Sequence, residues 1–322
     1  MFVSQGDASV LLRIGAIRNY VGAACQCVEG FEAVDSEKRH YTLTNNMFSR
    51  NKKTALVTGA SSGMGKAIAK RLVEDGYQVY AAARHVERMD DLAQLGARRL
   101  RMDISSEAEI ATAIDTILAE VGAVDVLVNN AGFGLYGAVE DVSIDEARYQ
   151  FEVNVFGLAR VTQRLLPAMR KKGGGTIVNI TSMGGKVYTL LGSWYHATKH
   201  ALEGWSDCLR LELAPFGIHV VIVEPGLIDT GFGDGVAEGL LERSGRGAYA
   251  RLTQGVAKSI RNAYTPGRGT DPNVIARIVS KAVHARKPAT RYVAGAYARP
   301  MMLMRKWMGD RVFDRVIMSQ MR

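Results

Sequence analysis

The stretch Thr58-Gly59-Ala60-Ser61-Ser62-Gly63-Met64-Gly65 (TGASSGMG) decides the fold. It follows the apolar run TALVT at residues 54–58 and precedes an amphipathic segment at residues 63–75. Glycine permits positive φ angles and a close approach of the backbone to a ligand. The free N–H groups at the start of a helix attract phosphate. The order of strand, glycine turn and helix therefore predicts a nucleotide site, although glycine clusters also form plain loops.

The rest of the chain alternates short apolar runs with amphipathic stretches. Strands are predicted at residues 54–58, 78–83, 98–102, 125–128, 176–180, 218–223 and 291–293. Helices are predicted at residues 63–75, 106–121, 144–171, 193–214 and 271–285. The apolar runs lack polar alternation, which is typical of strands covered on both faces. This pattern predicts an α/β fold built on a doubly wound parallel sheet of about seven strands.

Composition excludes several classes of function. The net charge is +9, but the basic residues are dispersed without interleaved aromatics, so we expect no nucleic-acid partner. Cys25 and Cys27 lack a second pair or a histidine cluster, so no metal site is predicted, and the odd count of three cysteines favours a reducing compartment. No apolar run reaches the roughly 18 residues that cross a bilayer. These features predict a cytoplasmic protein.

Two residues near strand ends bear on the cofactor. Arg84 follows the second strand, near the position where NAD-binding sites usually place an acid. An arginine binds a ribose 2′-phosphate in a bidentate manner, so Arg84 favours NADP(H) over NAD(H), unless it is merely solvated. Asp103 ends the third strand. It suits either a hydrogen bond from adenine or a cap on the next helix.

Tyr195 and Lys199 lie one helical turn apart in YHATK. A nearby cation favours the phenolate, so we expect Lys199 to lower the pKa of Tyr195 toward the range useful for acid–base catalysis. Ser182 follows the fifth strand, and in a parallel sheet that end meets the next helix at the ligand crevice. Ser182 is then a hydrogen-bond donor to a substrate oxygen, or alternatively a turn residue. The alternative is that Tyr195 and Lys199 form an ordinary surface pair, because this spacing occurs by chance in many helices.

Taken together, the motifs resemble the short-chain dehydrogenase/reductase family, in its single-domain branch. The matching motifs follow the family order from about Lys53 to Thr230 and comprise TGASSGMG, NNAG at residues 129–132, Asn154, Ser182, YHATK, and Pro225-Gly226 followed by Thr230. The tail is loosely similar to that of 17β-hydroxysteroid or retinol dehydrogenases. The resemblance implies a Rossmann-type fold and an NADP(H)-dependent alcohol–carbonyl oxidoreductase, with a large apolar substrate.

The resemblance also implies residue roles. Tyr195 is the general acid/base, Lys199 lowers its pKa and binds the nicotinamide ribose, Ser182 orients the substrate oxygen and Asn154 holds a water that relays protons. Asn129 braces the fourth strand. The implied cofactor-binding residues are Gly59, Ser61, Ser62, Gly63, Met64, Gly65, Arg84, Asp103, Ile104, Asn130, Ala131, Gly132, Tyr195, Lys199, Pro225, Gly226, Ile228 and Thr230.

The two ends of the chain differ from its middle. Residues 1–52 are weakly periodic, and we expect a poorly ordered extension, either a flexible leader or a stretch before a working start at Met47. Residues 53–322 are expected to form a single domain. Residues 231–270 are glycine-rich with few apolar anchors, and the family resemblance implies a mobile lid there. The methionine-rich basic tail at residues 299–322 suits a pocket wall, a helix resting on a membrane, or plain core packing.

Three hypotheses of function follow. The first is the oxidoreductase described above, with a small-molecule alcohol or carbonyl as substrate and, by family habit, a homo-oligomeric state. The second is a catalytically silent NADP(H)-sensing protein. The third is a sugar-nucleotide epimerase or dehydratase, which shares the Tyr-Lys spacing, but the G-x-x-x-G-x-G turn and NNAG argue against it.

Overall fold

A parallel sheet forms the centre of the protein in a computed structural model that describes residues 52–265 and 267–319. Its strand order is β3-β2-β1-β4-β5-β6-β7, and every neighbouring pair is parallel. The strands are β1 Thr54–Thr58, β2 Gln78–Ala83, β3 Arg98–Arg101, β4 Val126–Asn129, β5 Gly175–Ile180, β6 Ile218–Pro225 and β7 Arg291–Ala294. The predicted doubly wound sheet is confirmed, and each predicted strand is present within two residues of its expected bounds.

Helices cover both faces of this sheet. They are α1 Gly63–Glu74, α2 Asp90–Gln94, α3 Glu107–Val121, α4 Ile144–Phe151, α5 Leu158–Lys172, α6 Ser193–Leu213, α7 Phe232–Ser244, α8 Ala250–Ala263, α9 Pro272–His284 and α10 Ala298–Ser319. One core lies on each face. The first includes Ile68 and Val279, from α1 and α9, and the second includes Ile114 and Leu165, from α3 and α5. Apolar side chains therefore alternate between two buried faces, which explains the unbroken apolar runs.

The prediction of one continuous helix over residues 144–171 is wrong. A π-helical segment, Glu152–Gly157, separates α4 from α5. At Gly157 the backbone approaches the neighbouring chain so closely that a Cβ would lie 2.1 Å from the carbonyl oxygen of Ile104. π-Helical turns inside helices are frequent at functional sites, and this one contains Asn154.

The expectation that residues 231–270 have few apolar anchors is also wrong. This region forms α7 and α8, which share a small core of Ala237, Leu240, Val256 and Ala257. Several of the glycines that make this region glycine-rich lie inside α7. Gly233 packs against the Tyr264 ring, where a Cβ would lie 2.3 Å from Cγ. Here glycine allows close packing rather than a turn.

The predicted helical tail is α10, broken in its middle at Gly309, where φ is 70°. Phe313 and Ile317 are buried against Val187. Leu303 and Trp307 remain exposed, at 55% and 76%. The expected extension at residues 1–52 lies outside the described residues, apart from Lys52.

Candidate active site

One cavity of about 1270 Å³ runs along the carboxyl ends of the strands. The order of the sheet reverses direction between β1 and β4, and such a switch point is where open α/β sheets bind ligands. Most of the predicted site residues line this cavity: Gly59, Ser61, Ser62, Gly63, Met64, Gly65, Arg84, Asp103, Ile104, Asn130, Ala131, Gly132, Ser182, Tyr195, Pro225, Gly226, Ile228 and Thr230. Asn154 and Lys199 are not among the lining residues.

The glycine turn forms a cradle with no room for side chains. Gly59 and Gly63 have positive φ angles of 67° and 52°. A Cβ at Gly65 would lie 2.2 Å from the carbonyl oxygen of Gly59. Ser62 precedes α1 without a side-chain cap, so its hydroxyl leaves the first N–H groups of the helix free. This bare backbone fits the pyrophosphate of a dinucleotide.

Neighbouring loops hold the turn in place. The Thr58 hydroxyl accepts hydrogen bonds from the backbone N–H groups of Asn130, at 3.0 Å, and Ala131, at 3.1 Å. The Asn130 side chain donates in return to the carbonyl oxygen of Thr58 at 3.0 Å. The ends of β1 and β4 are thus locked together. Sequence reasoning gave Thr58 no site role of its own, although this residue begins the glycine motif at the end of β1.

The wall next to the glycine turn is basic. Arg84 is exposed and lines the cavity, together with His85 and Arg88, which the sequence analysis did not single out. Among the described residues, no acid forms a salt bridge with Arg84 or Arg88. Asp103 accepts hydrogen bonds from the backbone and hydroxyl of Ser105, at 2.9 and 2.7 Å, and still lines the cavity. The cap of the next helix is Ser106, so the helix-cap interpretation of Asp103 is wrong.

Tyr195 and Ser182 meet on the cavity wall. Helix α6 begins at Ser193 and presents Tyr195 in its first turn, while Ser182 follows β5. The Ser182 side chain lies close enough to the Tyr195 phenol to lower its pKa. Ser182 also caps a short 3₁₀ turn by accepting from the N–H of Gly184 at 3.0 Å. The turn role and the site role of Ser182 therefore coexist.

The electrostatics of Tyr195 differ from the prediction. Burial raises the pKa of Tyr195 above its ordinary value, and the neighbouring Ser182 side chain acts in the opposite direction. Lys199 lies with its Nζ 5.9 Å from the Tyr195 ring centre and donates to the carbonyl oxygen of Ile180 at 3.1 Å. Burial lowers the pKa of Lys199 to about 8. The expected lowering of the Tyr195 pKa is thus wrong for the protein alone, because desolvation outweighs the other influences on this phenol. Tyr195 keeps its proton at neutral pH.

Asn154 and Asn129 are buried inside the framework. The Asn154 amide donates to the carbonyl oxygen of Phe133 and the hydroxyl of Thr198, at 3.0 and 3.2 Å, and its oxygen accepts from the N–H of Phe133 at 3.0 Å. The side chain of Asn154 thus ties the loop after β4 to α6. Asn129 donates to Thr162 and Asn179 at 3.1 and 2.9 Å.

His196 clamps the loop that follows Ser182. Its Nε2 accepts from the N–H of Thr189 at 3.0 Å, so Nδ1 bears the proton and donates to the carbonyl oxygen of Gly184, also at 3.0 Å. Burial lowers the pKa of this imidazole. The neutral ring therefore has a structural role. The sequence predicts this role, because adjacent residues of a helix point about 100° apart and His196 cannot share the direction of Tyr195.

The far end of the cavity is apolar and aromatic. The Tyr136 and Phe232 rings lie 5.7 and 5.8 Å from the Tyr195 ring, measured between centres. Further lining residues come from the loop after Ser182, from α7 and α8, and from the tail: Val187, Leu190, Val236, Val256, Ile260, Tyr264, Met301 and Ile317. Tyr195 thus contacts the apolar compartment, while the glycine turn and basic residues line the other end of the same cavity.

A parallel sheet with a glycine cradle at its switch point defines a dinucleotide-binding α/β protein. The family model described as short chain dehydrogenase matches residues 53–240. The chain belongs to the short-chain dehydrogenase/reductase family. It is an oxidoreductase of the class that acts on CH–OH groups with a nicotinamide cofactor.

Known proteins extend this likeness beyond the family model. The 3-ketodihydrosphingosine reductase of Bacteroides thetaiotaomicron is 34% identical over 80% of this chain and 94% of its own length. Human 17-beta-hydroxysteroid dehydrogenase type 1 is 32% identical over 78% and 80%, respectively. Among solved structures, a variant of actinorhodin polyketide ketoreductase with NADPH shares 32% identity and a TM-score of 0.65 over 77% of this chain and 97% of that one. Other similar structures hold NADH or NAD.

Proposed function

We propose that this protein interconverts a lipophilic alcohol and its ketone or aldehyde with NADP(H), using Tyr195 as the general acid/base. The observation that carries the proposal is that Tyr195 and Ser182 both line the wall of one cavity that is polar at one end and apolar at the other. A bound nicotinamide cofactor supplies or accepts the hydride.

The residues of the chain manage the proton. In the reducing direction, the substrate oxygen accepts a hydrogen bond from Ser182 and a proton from Tyr195. The raised pKa of Tyr195 suits this direction, because the phenol is protonated at neutral pH. Lys199 stabilises the phenolate that remains. Asn154 joins the loop after β4 to helix α6 through the hydrogen bonds of its side chain. Because these bonds occupy the side chain, a proton relay at Asn154 would use its backbone carbonyl.

The basic wall supports a preference for NADP(H). Arg84 and Arg88 follow β2, in the region where the adenosine ribose of a cofactor on this cradle would lie. A 2′-phosphate carries negative charge, and two guanidinium groups that form no salt bridge with the described part of the chain attract it. The remaining members of the predicted set, Asp103 with Ile104 and Pro225 with Gly226, would line the adenine and nicotinamide ends.

The size and lining of the cavity support a lipophilic substrate. Aromatic and aliphatic side chains from four separate segments surround the space beyond Tyr195. Two relatives are named for a ketodihydrosphingosine and a hydroxysteroid, both of which are lipophilic. A compartment of this kind gains binding free energy from the burial of apolar surface.

The variant Tyr195→Phe tests the mechanism. We expect the rate of carbonyl reduction, followed as NADPH consumption over a panel of lipophilic ketones and aldehydes, to fall about 10²- to 10⁴-fold because the proton donor is lost. Tyr136→Phe is the matched control, since it removes another buried phenol from the same cavity. A rate near that of the wild type for Tyr195→Phe would reject the mechanism. NADPH binding without consumption by the wild type would favour the silent sensor.

A further inference from the structure

A cluster of charged side chains begins one helical turn from Lys199, away from the lining of the cavity, and two of its acids are buried. It comprises Glu203 and Asp207 of α6, Glu224 of β6, Arg291 of β7 and Lys186 of the turn after Ser182. Glu203 and Glu224 are only 3% and 1% exposed. Acids are seldom buried this deeply, because each charge loses its hydration. Two buried acids so close to the site therefore need a physical explanation.

Glu203 holds the segment that carries Ser182 from both sides. The Thr181 hydroxyl donates to Oε1 of Glu203 at 2.7 Å, and Lys186 lies with its Nζ 2.9 Å from Oε2. Between them, Gly185 packs on the same side chain, where a Cβ would lie 2.8 Å from Cγ of Glu203. One buried carboxylate thus fixes the backbone immediately before and after Ser182.

Glu203 is also the nearest negative charge to Lys199 on the same helix. Burial shifts the pKa of Lys199 down to about 8, and the charge of Glu203 opposes that shift. The positive charges of the other elements in the cluster, Lys186 and Arg291, form ion pairs with its acids. Arg291 donates to Glu203 at 3.1 Å and to Asp207 at 2.6 Å.

Glu224 does not share the role of Glu203. Neither of its carboxylate oxygens has a hydrogen-bond partner among the described residues, and Arg291 lies 3.6 Å away. Burial, with the neighbouring charge of Glu203, raises the pKa of Glu224 to about 7. Glu224 therefore carries only part of a charge at neutral pH, whereas Glu203 forms ion pairs with Lys186 and Arg291.

We propose that Glu203 is a positioning residue of the reaction: it fixes the Ser182 segment and places a negative charge one helical turn from Lys199. The inference rests on the proposed function in one respect: it assumes that Lys199 takes part in the reaction. The charge of Lys199 itself is a property of the protein alone and is measurable without cofactor or substrate.

The test is the titration of Lys199 by NMR in protein labelled with ¹³C-lysine, with its signal assigned by its loss in Lys199→Arg. In Glu203→Gln, which keeps the shape of the side chain and removes its charge, we expect the midpoint to fall by about 1 pH unit from its wild-type value. The rate of carbonyl reduction at pH 8 should then fall about fivefold, and less at lower pH, because a smaller fraction of Lys199 is protonated.

Two variants complete the design. Asp207→Asn removes another acid bound by Arg291 without touching Thr181 or Lys186, and should leave the midpoint unchanged. Lys186 is 35% exposed, so Lys186→Gln disturbs the fold less than a change at a buried residue. It should raise the midpoint of the Lys199 titration, because Glu203 loses a positively charged partner.

An unchanged midpoint in Glu203→Gln, or an equal fall in Asp207→Asn, would overturn the proposal. If Glu203→Gln does not fold, a midpoint that stays or falls in Lys186→Gln would do the same. A wild type that consumes no NADPH would instead reject the proposed function, and the titration would still decide the role of Glu203.

Discussion

At the scale of single residues, burial controls the chemistry of the site. The Tyr-Lys spacing predicts correctly that Tyr195 and Lys199 are neighbours, because residues four apart share a helix face. It does not predict the pKa of either group. Both side chains are 8% exposed, and desolvation disfavours the charged form of each. The exposed fraction of a side chain depends on segments that are distant along the chain, so a short sequence motif does not predict it.

Asn154 illustrates the same limit for hydrogen bonds. The motif places it near the site, but its side-chain partners are Phe133 and Thr198, 21 and 44 residues away along the chain. Only the fold brings these three residues together. The role of Asn154 in proton relay stays a prediction.

Arg84 provides the prediction that belongs to this scale. Arg84→Asp should weaken the binding of NADPH about 10- to 100-fold and change NADH binding much less, because a carboxylate repels the 2′-phosphate that only NADPH carries. The measurement is the Kd for each cofactor by fluorescence titration. Arg148→Asp, an exposed arginine on α4 that does not line the cavity, is the control. An equal loss for both cofactors would contradict the preference for NADP(H).

At the scale of elements, helices and strands follow from periodicity, but their interruptions do not. The sequence pattern at residues 144–171 is helical throughout, and the π-helical segment arises where Gly157 meets the backbone of Ile104. Likewise, residues 231–270 are glycine-rich, yet Gly233 lies inside α7 and allows this helix to pack against Tyr264. In both cases a tertiary contact overrides the local preference.

The tail helix shows two of its predicted roles at once and leaves one to test. Met301 and Ile317 line the cavity, while Phe313 is fully buried, so pocket wall and core packing coexist. In the first half of α10, Leu303 and Trp307 lie one turn apart on an exposed face. No helix in the described part of the chain has the length and hydropathy required to cross a bilayer. We propose that this face rests on an anionic membrane, since Arg299 and Lys306 flank the two apolar residues.

Sedimentation with vesicles tests this contact. The wild type should co-sediment with vesicles containing phosphatidylserine and be released by salt, while Leu303→Ala/Trp307→Ala should lose most of that binding. Val139→Ala is the control, because Val139 is 64% exposed and lies outside α10. Equal binding of both variants, or no binding by the wild type, would contradict the membrane contact.

At the scale of the whole molecule, exposed apolar side chains occur on three elements that pack against one another, namely α4, the π-helical segment and α6. Tyr149 of α4, Phe156 of the π-helical segment and Leu211 of α6 are 43%, 50% and 67% exposed. Exposed apolar patches on a protein surface mark interaction sites. We propose that these three elements form the interface of a homo-oligomer, as the resemblance to the family implies.

Light scattering coupled to size-exclusion chromatography tests the oligomer. The wild type should have at least twice the mass of one chain, and Phe156→Glu/Leu211→Glu should shift it to the mass of a single chain, since a buried charge at an interface is costly. Leu95→Glu, which changes an exposed leucine next to α2, should leave the mass unchanged. A wild type with the mass of one chain would rule out this interface.

The contact of Phe313 and Ile317 with Val187 joins the last described helix to the loop that leads away from Ser182. A change in the second half of α10 is therefore expected to reach the apolar lining of the cavity. If the proposed function holds, Ile317→Ala should alter which ketones are reduced while the sheet stays folded. For the same reason, laboratory evolution of selectivity has a natural starting place in a helix far along the sequence from Tyr195.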